Sequence, residues 1–158
     1  MAVDRVGPGK VRHPRKVLFD SSFLIAVMEH PTPWQGDILE NVGGFEGVVL
    51  QPVFAELRRL AGRKGGQSRF AKLALGLVES GAVRLEPSEG TRADEELLSH
   101  ALRDGAVVAT IDGGLIRQLR ASHVEVLSLR SGRVEKRQNR RLTKFYIGDA
   151  EGSRVPLV

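Results

Sequence analysis

Short, continuously apolar runs alternate along this chain with amphipathic segments. The clearest runs are KVLF at 16–19, GVVLQ at 47–51 and AVVAT at 106–110. Strands buried on both faces have such continuous runs, whereas strands with one wet face alternate polar and apolar residues. Segments of helical periodicity lie between the runs, and glycine or proline marks many of their ends. This alternation predicts an α/β fold, three-layered α/β/α, whose central parallel sheet of about five strands has helices on both faces.

Charge divides the chain into an acidic body between two basic ends. The whole chain carries a net charge of +5, but residues 1–16 contribute +4, residues 17–129 contribute −4 and residues 130–158 contribute +5. We therefore predict a flexible basic arm at 1–15, one domain at 16–130 and a basic C-terminal extension at 131–158. Basic ends on an acidic body favour a polyanionic partner, although solvated tails have the same composition.

Several classes of protein are excluded by what the sequence lacks. There is no cysteine, which excludes disulfides and thiolate metal sites and is typical of a cytoplasmic protein. No apolar run is long enough to span a membrane. No glycine-rich phosphate-binding motif of the nucleotide-binding folds is present. The histidines form no metal-binding pattern, and we expect His100, on a predicted helix, to be solvated.

Acidic residues occur where each of the first four predicted strands gives way to a helix. They are Asp20, Glu56, Asp94 and Asp112. Each one alone has an ordinary explanation as a helix cap, a turn residue or an exposed helix residue. Together they lie at the carboxyl edge of a parallel sheet, where ligands of such folds bind. Crowded carboxylates repel each other by roughly 1–4 kcal/mol per pair, so the pattern predicts a site for a hard cation, Mg²⁺ or Mn²⁺.

Four short motifs in this order resemble the signature blocks of PIN domains, a family of metal-dependent ribonucleases. They are DSS at 20–22, PVFAEL at 52–57, ADE at 93–95 and ATID at 109–112. The resemblance covers about residues 16 to 130 and implies the PIN fold. It implies that the four acids are catalytic and hold one or two Mg²⁺ or Mn²⁺ ions. It also places Ser22 and Thr110 as hydroxyls beside the metal.

Two features of the sequence bear on which acids bind metal: a missing acid after Asp112, and two adjacent acids at 94 and 95. Many PIN domains carry a further acid just after the last aspartate, where this chain has Gly113 and Gly114, so the number of ions stays open. Glu95 directly follows Asp94, and a helix turns it roughly 100° away, so only one of the two is expected to be a ligand.

The resemblance implies a metal-dependent endoribonuclease that hydrolyses RNA phosphodiester bonds. Residues 102–130 look more like the archaeal and eukaryotic PIN proteins of ribosomal RNA processing than like the VapC toxins. The expected partner is therefore ribosomal or structured RNA, held by basic residues after the last predicted strand. These RNA-binding residues are Arg130, Arg133, Lys136, Arg137, Arg140, Arg141 and Lys144.

Other functions remain open at this point. One is a VapC-type toxin, which would have an acidic antitoxin as its partner. Another is an RNA-binding ribosome-assembly factor whose nuclease site is weak or silent, and a metal phosphatase ranks last. A homodimer is also left open, and so is the structure of residues 131–158, either an extra hairpin or an extended arm.

Overall fold

The computed structural model describes residues 13–137. The predictions for residues 1–12 of the arm and for the residues after 137 lie outside this range, and Arg15, assigned to the arm at 1–15, is the first residue of a strand. The elements, in chain order, are β1 (Arg15–Phe19), α1 (Ser21–Glu29), α2 (Trp34–Val42), β2 (Phe45–Leu50), α3 (Gln51–Ala61), α4 (Gly66–Glu79), β3 (Arg84–Glu86), α5 (Ala93–Asp104), β4 (Val107–Ala109), α6 (Gly113–Ala121), β5 (Val126–Arg130) and β6 (Arg133–Lys136).

The strands form one sheet in the order β3-β2-β1-β4-β5-β6. The first five strands are parallel, and β6 pairs antiparallel with β5. The predicted α/β class and parallel sheet are confirmed. The sixth strand follows a tight turn after Arg130, so this part of the C-terminal extension is a hairpin that belongs to the sheet.

Helices cover both faces of the sheet because its parallel connections are right-handed crossovers. The chain moves one way through β1, β2 and β3, which places α1 to α4 on one face, and it moves back through β4 and β5, which places α5 and α6 on the other. On the first face the Phe19 ring packs against Phe23 of α1 and, edge-on, against Trp34 of α2. Val17, Leu18 and Phe19 are fully buried between the two layers.

Local sequence explains where several helices begin and end. Pro52 lies in the first turn of α3, where its missing N–H would have no helical partner. Gly105 ends α5 in the left-handed conformation at φ 65°, which glycine adopts without a steric penalty. Of the helices in the described range, none has both the length and the apolar character needed to cross a membrane.

The sheet topology places β1 beside β4, and the direction of the connections reverses between these two strands. In open α/β sheets, the crevice at the carboxyl ends of two such strands is the usual place for a ligand. Asp20 follows β1 and Asp112 follows β4, so the fold brings these two predicted site residues to that crevice.

Candidate functional site

Asp20 lies at the centre of the crevice and is held by two hydroxyls. Its carboxylate is nearly buried, with the residue 6% exposed. Ser22 Oγ donates to Asp20 Oδ2 at 2.6 Å and Thr110 Oγ1 donates to the same oxygen at 2.8 Å. Both hydroxyls predicted to lie beside the site are therefore in direct contact with its central acid.

Backbone N–H groups support each of these hydroxyls in turn. The Ile111 N–H donates to Ser22 Oγ at 3.2 Å, and the Asp112 N–H donates to Thr110 Oγ1 at 3.1 Å. A hydroxyl has one proton to donate, so the orientation of both groups is determined by an N–H on one side and by the carboxylate on the other. The two chains of hydrogen bonds fix the Asp20 carboxylate against the β4–α6 junction.

The two oxygens of Asp20 have different surroundings. Oδ2 accepts both hydroxyl hydrogen bonds, while Oδ1 has no hydrogen-bond partner within residues 13–137 and is not enclosed. None of the ion pairs among the described residues includes Asp20. A nearly buried carboxylate without a cationic partner is costly. Its free oxygen, Oδ1, is available as a ligand for a cation. A site whose donor atoms are all carboxylate or hydroxyl oxygens favours a hard ion.

Asp112 is both a helix cap and a neighbour of this carboxylate. Its Oδ1 accepts from the Leu115 N–H at 2.9 Å, so the capping role considered for it from the sequence is present. Only one oxygen is used in this way. Gly114 leaves room for this oxygen, because a Cβ at that position would lie 3.3 Å from Asp112 Oδ1.

Asp94, in the first turn of α5, lies in the electrostatic field of both acids. Partial desolvation and the negative charges of Asp20 and Asp112 raise the pKa of Asp94 above its ordinary value. Its neighbour Glu95 is 64% exposed and forms an ion pair with Arg92 at 3.1 Å. The helix therefore turns Asp94, and not Glu95, toward the other carboxylates.

Glu56 is the one predicted acid that the described contacts do not connect to the others. It lies one turn into α3, with its side chain 35% exposed and an oxygen 3.9 Å from Arg59. At that separation the pair is weak. The described contacts thus link Asp20, Asp94 and Asp112 with Ser22 and Thr110, and do not link Glu56 to them.

A second acidic cluster, Glu86, His100 and Asp104, has ligand atoms close enough together for a metal ion. Its charge is already balanced, because Lys16 Nζ lies 3.2 Å from Glu86 and 2.9 Å from Asp104. His100 is 6% exposed, so the expectation that it is solvated was wrong. Its ring lies among the side chains of Glu86 at 3.3 Å, Glu96 at 3.6 Å and Arg103 at 2.9 Å. The cationic partner makes this cluster a structural ion-pair network and not a metal site.

The predicted RNA-binding residues, from Arg130 onward, divide into two groups where the structure describes them. Arg133 contacts Asp37 at 3.0 Å, and Lys136 contacts Glu125 at 2.9 Å, so these two side chains are engaged within the protein. Arg130 and Arg137 are exposed. The remaining three basic residues lie beyond the described range.

A strongly basic surface that we did not predict from the sequence lies on α3 and α4. Residues 57–78 contain six Lys or Arg and no Asp or Glu, and all six are exposed. The signal was present in the sequence, but it was hidden in the net charge of −4 for residues 17–129. We call residues 51–79, which form these two helices and their connection, the basic hairpin.

The sequence model of one family, the PIN-like domain, matches residues 17–132 of this chain. The match covers most of the chain, from within β1 to just beyond the end of β5. The chain therefore belongs to the PIN-like domain family, and the resemblance found in the four motifs is confirmed.

Comparison with solved structures supports the same fold. The chain is similar to a structure titled "Structure of the PIN domain endonuclease Utp24", with a TM-score of 0.65 over 80% of this chain and 93% of that one. The two sequences are 20% identical, so the likeness concerns the fold. No curated protein was found to match the chain by sequence.

Proposed function

We propose that this protein is a metal-dependent endoribonuclease that hydrolyses RNA phosphodiester bonds. The observation that carries the proposal is the Asp20 carboxylate, which is nearly buried, has no cationic partner in the described structure, and keeps one oxygen free beside Asp94 and Asp112. Membership of the PIN-like family and the fold shared with a PIN domain endonuclease support it.

Asp20, Asp94 and Asp112 would hold Mg²⁺ or Mn²⁺, and Glu56 would join them directly or through water. When bound, the ion would polarise a phosphate oxygen and lower the pKa of a water molecule. Ser22 and Thr110 keep the Asp20 carboxylate in one orientation through hydrogen bonds of 2.6 and 2.8 Å. Holding the acid in place before the ion binds reduces the reorganisation that binding requires.

An acidic site repels RNA, so basic groups elsewhere must hold the substrate. Among the basic residues from Arg130 onward, we propose that Arg130, Arg137, Arg140, Arg141 and Lys144 contact phosphates, whereas Arg133 and Lys136 are engaged in ion pairs. The resemblance of residues 102–130 to PIN proteins of ribosomal RNA processing favours ribosomal or other structured RNA as the substrate.

The test replaces Asp20 with asparagine, which keeps the size of the side chain and an oxygen that can accept the two hydroxyl hydrogen bonds. We expect Asp20→Asn to lose Mn²⁺-dependent cleavage of single-stranded or loop RNA while retaining the melting behaviour of a folded protein. Mn²⁺ binding, followed by the electron paramagnetic resonance of the free ion, should weaken in parallel. Glu95→Gln is the matched control, since Glu95 is exposed and paired with Arg92. Wild-type cleavage by Asp20→Asn would refute the assignment.

A second candidate function is an RNA-binding assembly factor with a silent nuclease site. It is favoured by Gly113 and Gly114, which stand where many PIN domains carry a further acid. The same experiment separates the two functions. An assembly factor would bind RNA without any metal-dependent cleavage, and Asp20→Asn would then leave RNA binding unchanged.

A further inference from the structure

The basic hairpin concentrates positive charge on one surface. Its α3 and α4 pack against each other as an antiparallel pair joined by a short connection, which is the usual arrangement of a helical hairpin. The charged residues lie on the exposed side of α3, at the connection and along the exposed side of α4. They are Arg58, Arg59, Arg63, Lys64, Arg69 and Lys72.

Most of these charges have no carboxylate partner within the described structure, in contrast to three basic residues of the sheet. Arg15, Lys16 and Arg84 each have a carboxylate oxygen within 2.6 to 3.2 Å. The hairpin shows one ion pair among the described residues, between Arg59 and Glu56 at 3.9 Å. Five exposed cations on one hairpin without a carboxylate partner in the described structure form a surface suited to an anionic partner.

Two of the guanidinium groups are held over aromatic rings. The Arg58 guanidinium lies 5.9 Å from the centre of the Phe54 ring, and that of Arg69 lies 4.9 Å from the centre of the Phe70 ring. Such contacts orient a guanidinium and leave its N–H groups available to donate. An oriented guanidinium can bind a phosphate through two parallel hydrogen bonds, so these two side chains favour phosphate over a diffuse negative charge.

The hairpin also lies next to the acidic crevice. Its first helix begins directly after β2, at the carboxyl edge of the sheet, and Glu56 and Arg59 are neighbours on that helix. Its second helix packs against α1, which begins at Ser21 beside Asp20. A polyanion lying along the hairpin would therefore extend toward the carboxylates, which could not attract it themselves.

We infer that the basic hairpin is a surface that binds the phosphate backbone of RNA and directs the strand to the crevice. This inference rests on the proposed function, because RNA is chosen over other polyanions on account of the proposed nuclease site. The contacts are to phosphates, so binding at this surface is expected to be insensitive to base sequence. It acts in addition to the basic residues from Arg130 onward, of which Arg130 ends β5 and Arg137 follows β6, at the opposite edge of the sheet from β3.

The test measures binding and not cleavage. A fluorescent single-stranded RNA is titrated, without divalent metal, with the full chain and with the triple variant Arg63→Gln, Lys64→Gln, Arg69→Gln at several salt concentrations. A lost phosphate contact reduces the slope of log affinity against log salt by about 0.7, so we expect the triple variant to flatten the slope by about 2 units. If cleavage occurs, its rate at saturating RNA should be retained while KM rises.

Two control variants separate local contacts from net charge and from folding. The variant Arg63→Lys, Lys64→Arg, Arg69→Lys keeps every charge and should retain the wild-type slope. Arg120→Gln removes one charge from α6, on the other face of the sheet, and should change the slope less than Arg69→Gln does. A triple Gln variant with wild-type affinity and slope would overturn the inference, as would an equal effect of Arg120→Gln and Arg69→Gln.

The competing occupant is an acidic protein, and the proposed function can fail independently. Poly-glutamate of matched length represents the protein occupant. If the wild-type protein binds poly-glutamate as tightly as RNA, and the triple Gln variant loses both to the same extent, the choice of RNA is overturned. The proposed nuclease fails if no metal-dependent cleavage is found. In that case RNA binding that still depends on the hairpin would leave the present inference intact.

Discussion

Asp37 on α2 holds Arg133 on β6 through its carboxylate, with Arg133 Nε 3.1 Å from Oδ1 and 3.2 Å from Oδ2. The Val134 backbone N–H donates to the same carboxylate at 3.0 Å. Asp37 is 3% exposed, so a single buried carboxylate binds both the guanidinium of Arg133 and a backbone N–H of β6. This contact joins the C-terminal hairpin to the body of the domain.

We expect Asp37→Ala to destabilise the protein by about 1–3 kcal/mol, since the buried Val134 N–H would lose its acceptor. Chemical unfolding at neutral pH measures the change in the free energy of unfolding. Glu40→Gln is the control, because Glu40 contacts the same arginine but is 73% exposed and its pair should contribute less. Equal effects of the two substitutions would show that the buried contact has no special role.

The same carboxylate predicts a dependence of stability on pH. The hydrogen bonds from Arg133 and Val134 hold the pKa of Asp37 below its usual value of 3.8. A carboxyl whose pKa is lower in the folded than in the unfolded state stabilises the fold at a pH above its unfolded-state pKa. This stabilisation is lost as the pH falls through its folded-state pKa. The difference in unfolding free energy between wild type and Asp37→Asn should therefore be constant from neutral pH down to about pH 5 and shrink below 3.8. A difference that grows on acidification would contradict this.

The alternation of apolar runs and helical segments was enough to predict the parallel sheet, because burial on both faces leaves a clear pattern in the strands. The position of the acids after the strands predicted which of them could meet. Asp20 and Asp112 follow adjacent central strands, and hydrogen bonds through Thr110 connect them. Glu56 and Asp94 lie within helices, where the direction of a side chain depends on packing that spacing does not reveal.

The roles of Arg133 and of the basic hairpin could not be predicted in the same way. A run of positive charge after Arg130 has the same appearance whether it binds RNA or pairs with acids far away in the chain, and Asp37 lies 96 residues before Arg133. The net charge of −4 for residues 17–129 concealed the cluster of cations on α3 and α4, because acids elsewhere in that segment outnumber them. Ser22 and Thr110 were assigned by family resemblance, since no periodic pattern singles out a hydroxyl that holds a carboxylate.

Thr110 is expected to act as a positioning residue for Asp20. Thr110→Val keeps the shape of this fully buried side chain but removes the hydrogen bond of 2.8 Å to Asp20. We expect metal affinity or cleavage to fall by about 10- to 100-fold, as for other groups that orient metal ligands. Mn²⁺ titration checks this, and Thr110→Ser should restore much of the loss. Ser128→Ala, which removes another buried hydroxyl, should leave Mn²⁺ affinity unchanged.

The basic residues after β5 give a separate prediction about salt dependence. The variant Arg137→Gln, Arg140→Gln, Arg141→Gln should flatten the slope of log RNA affinity against log salt by about 0.7 for each phosphate contact it removes. Since all four predicted acids precede residue 113 in the chain, cleavage at saturating RNA should persist. A folded triple variant with unchanged affinity and slope would remove these residues from the proposed RNA surface.

Removing one carboxylate from the crevice should stabilise the metal-free protein. Desolvation, together with the charges of Asp20 and Asp112, raises the pKa of Asp94, which means that its ionised form is disfavoured in the folded state. We therefore expect Asp94→Asn to melt at a higher temperature than wild type at neutral pH in the presence of a chelator. Mn²⁺ should reverse the order, because it stabilises the protein that binds it more tightly.

Thermal unfolding with and without Mn²⁺ measures both effects, and Glu95→Gln, at an exposed neighbouring position, should show neither. A lower melting temperature for Asp94→Asn in chelator would show that Asp94 is stabilised by its surroundings and does not belong to a repulsive cluster.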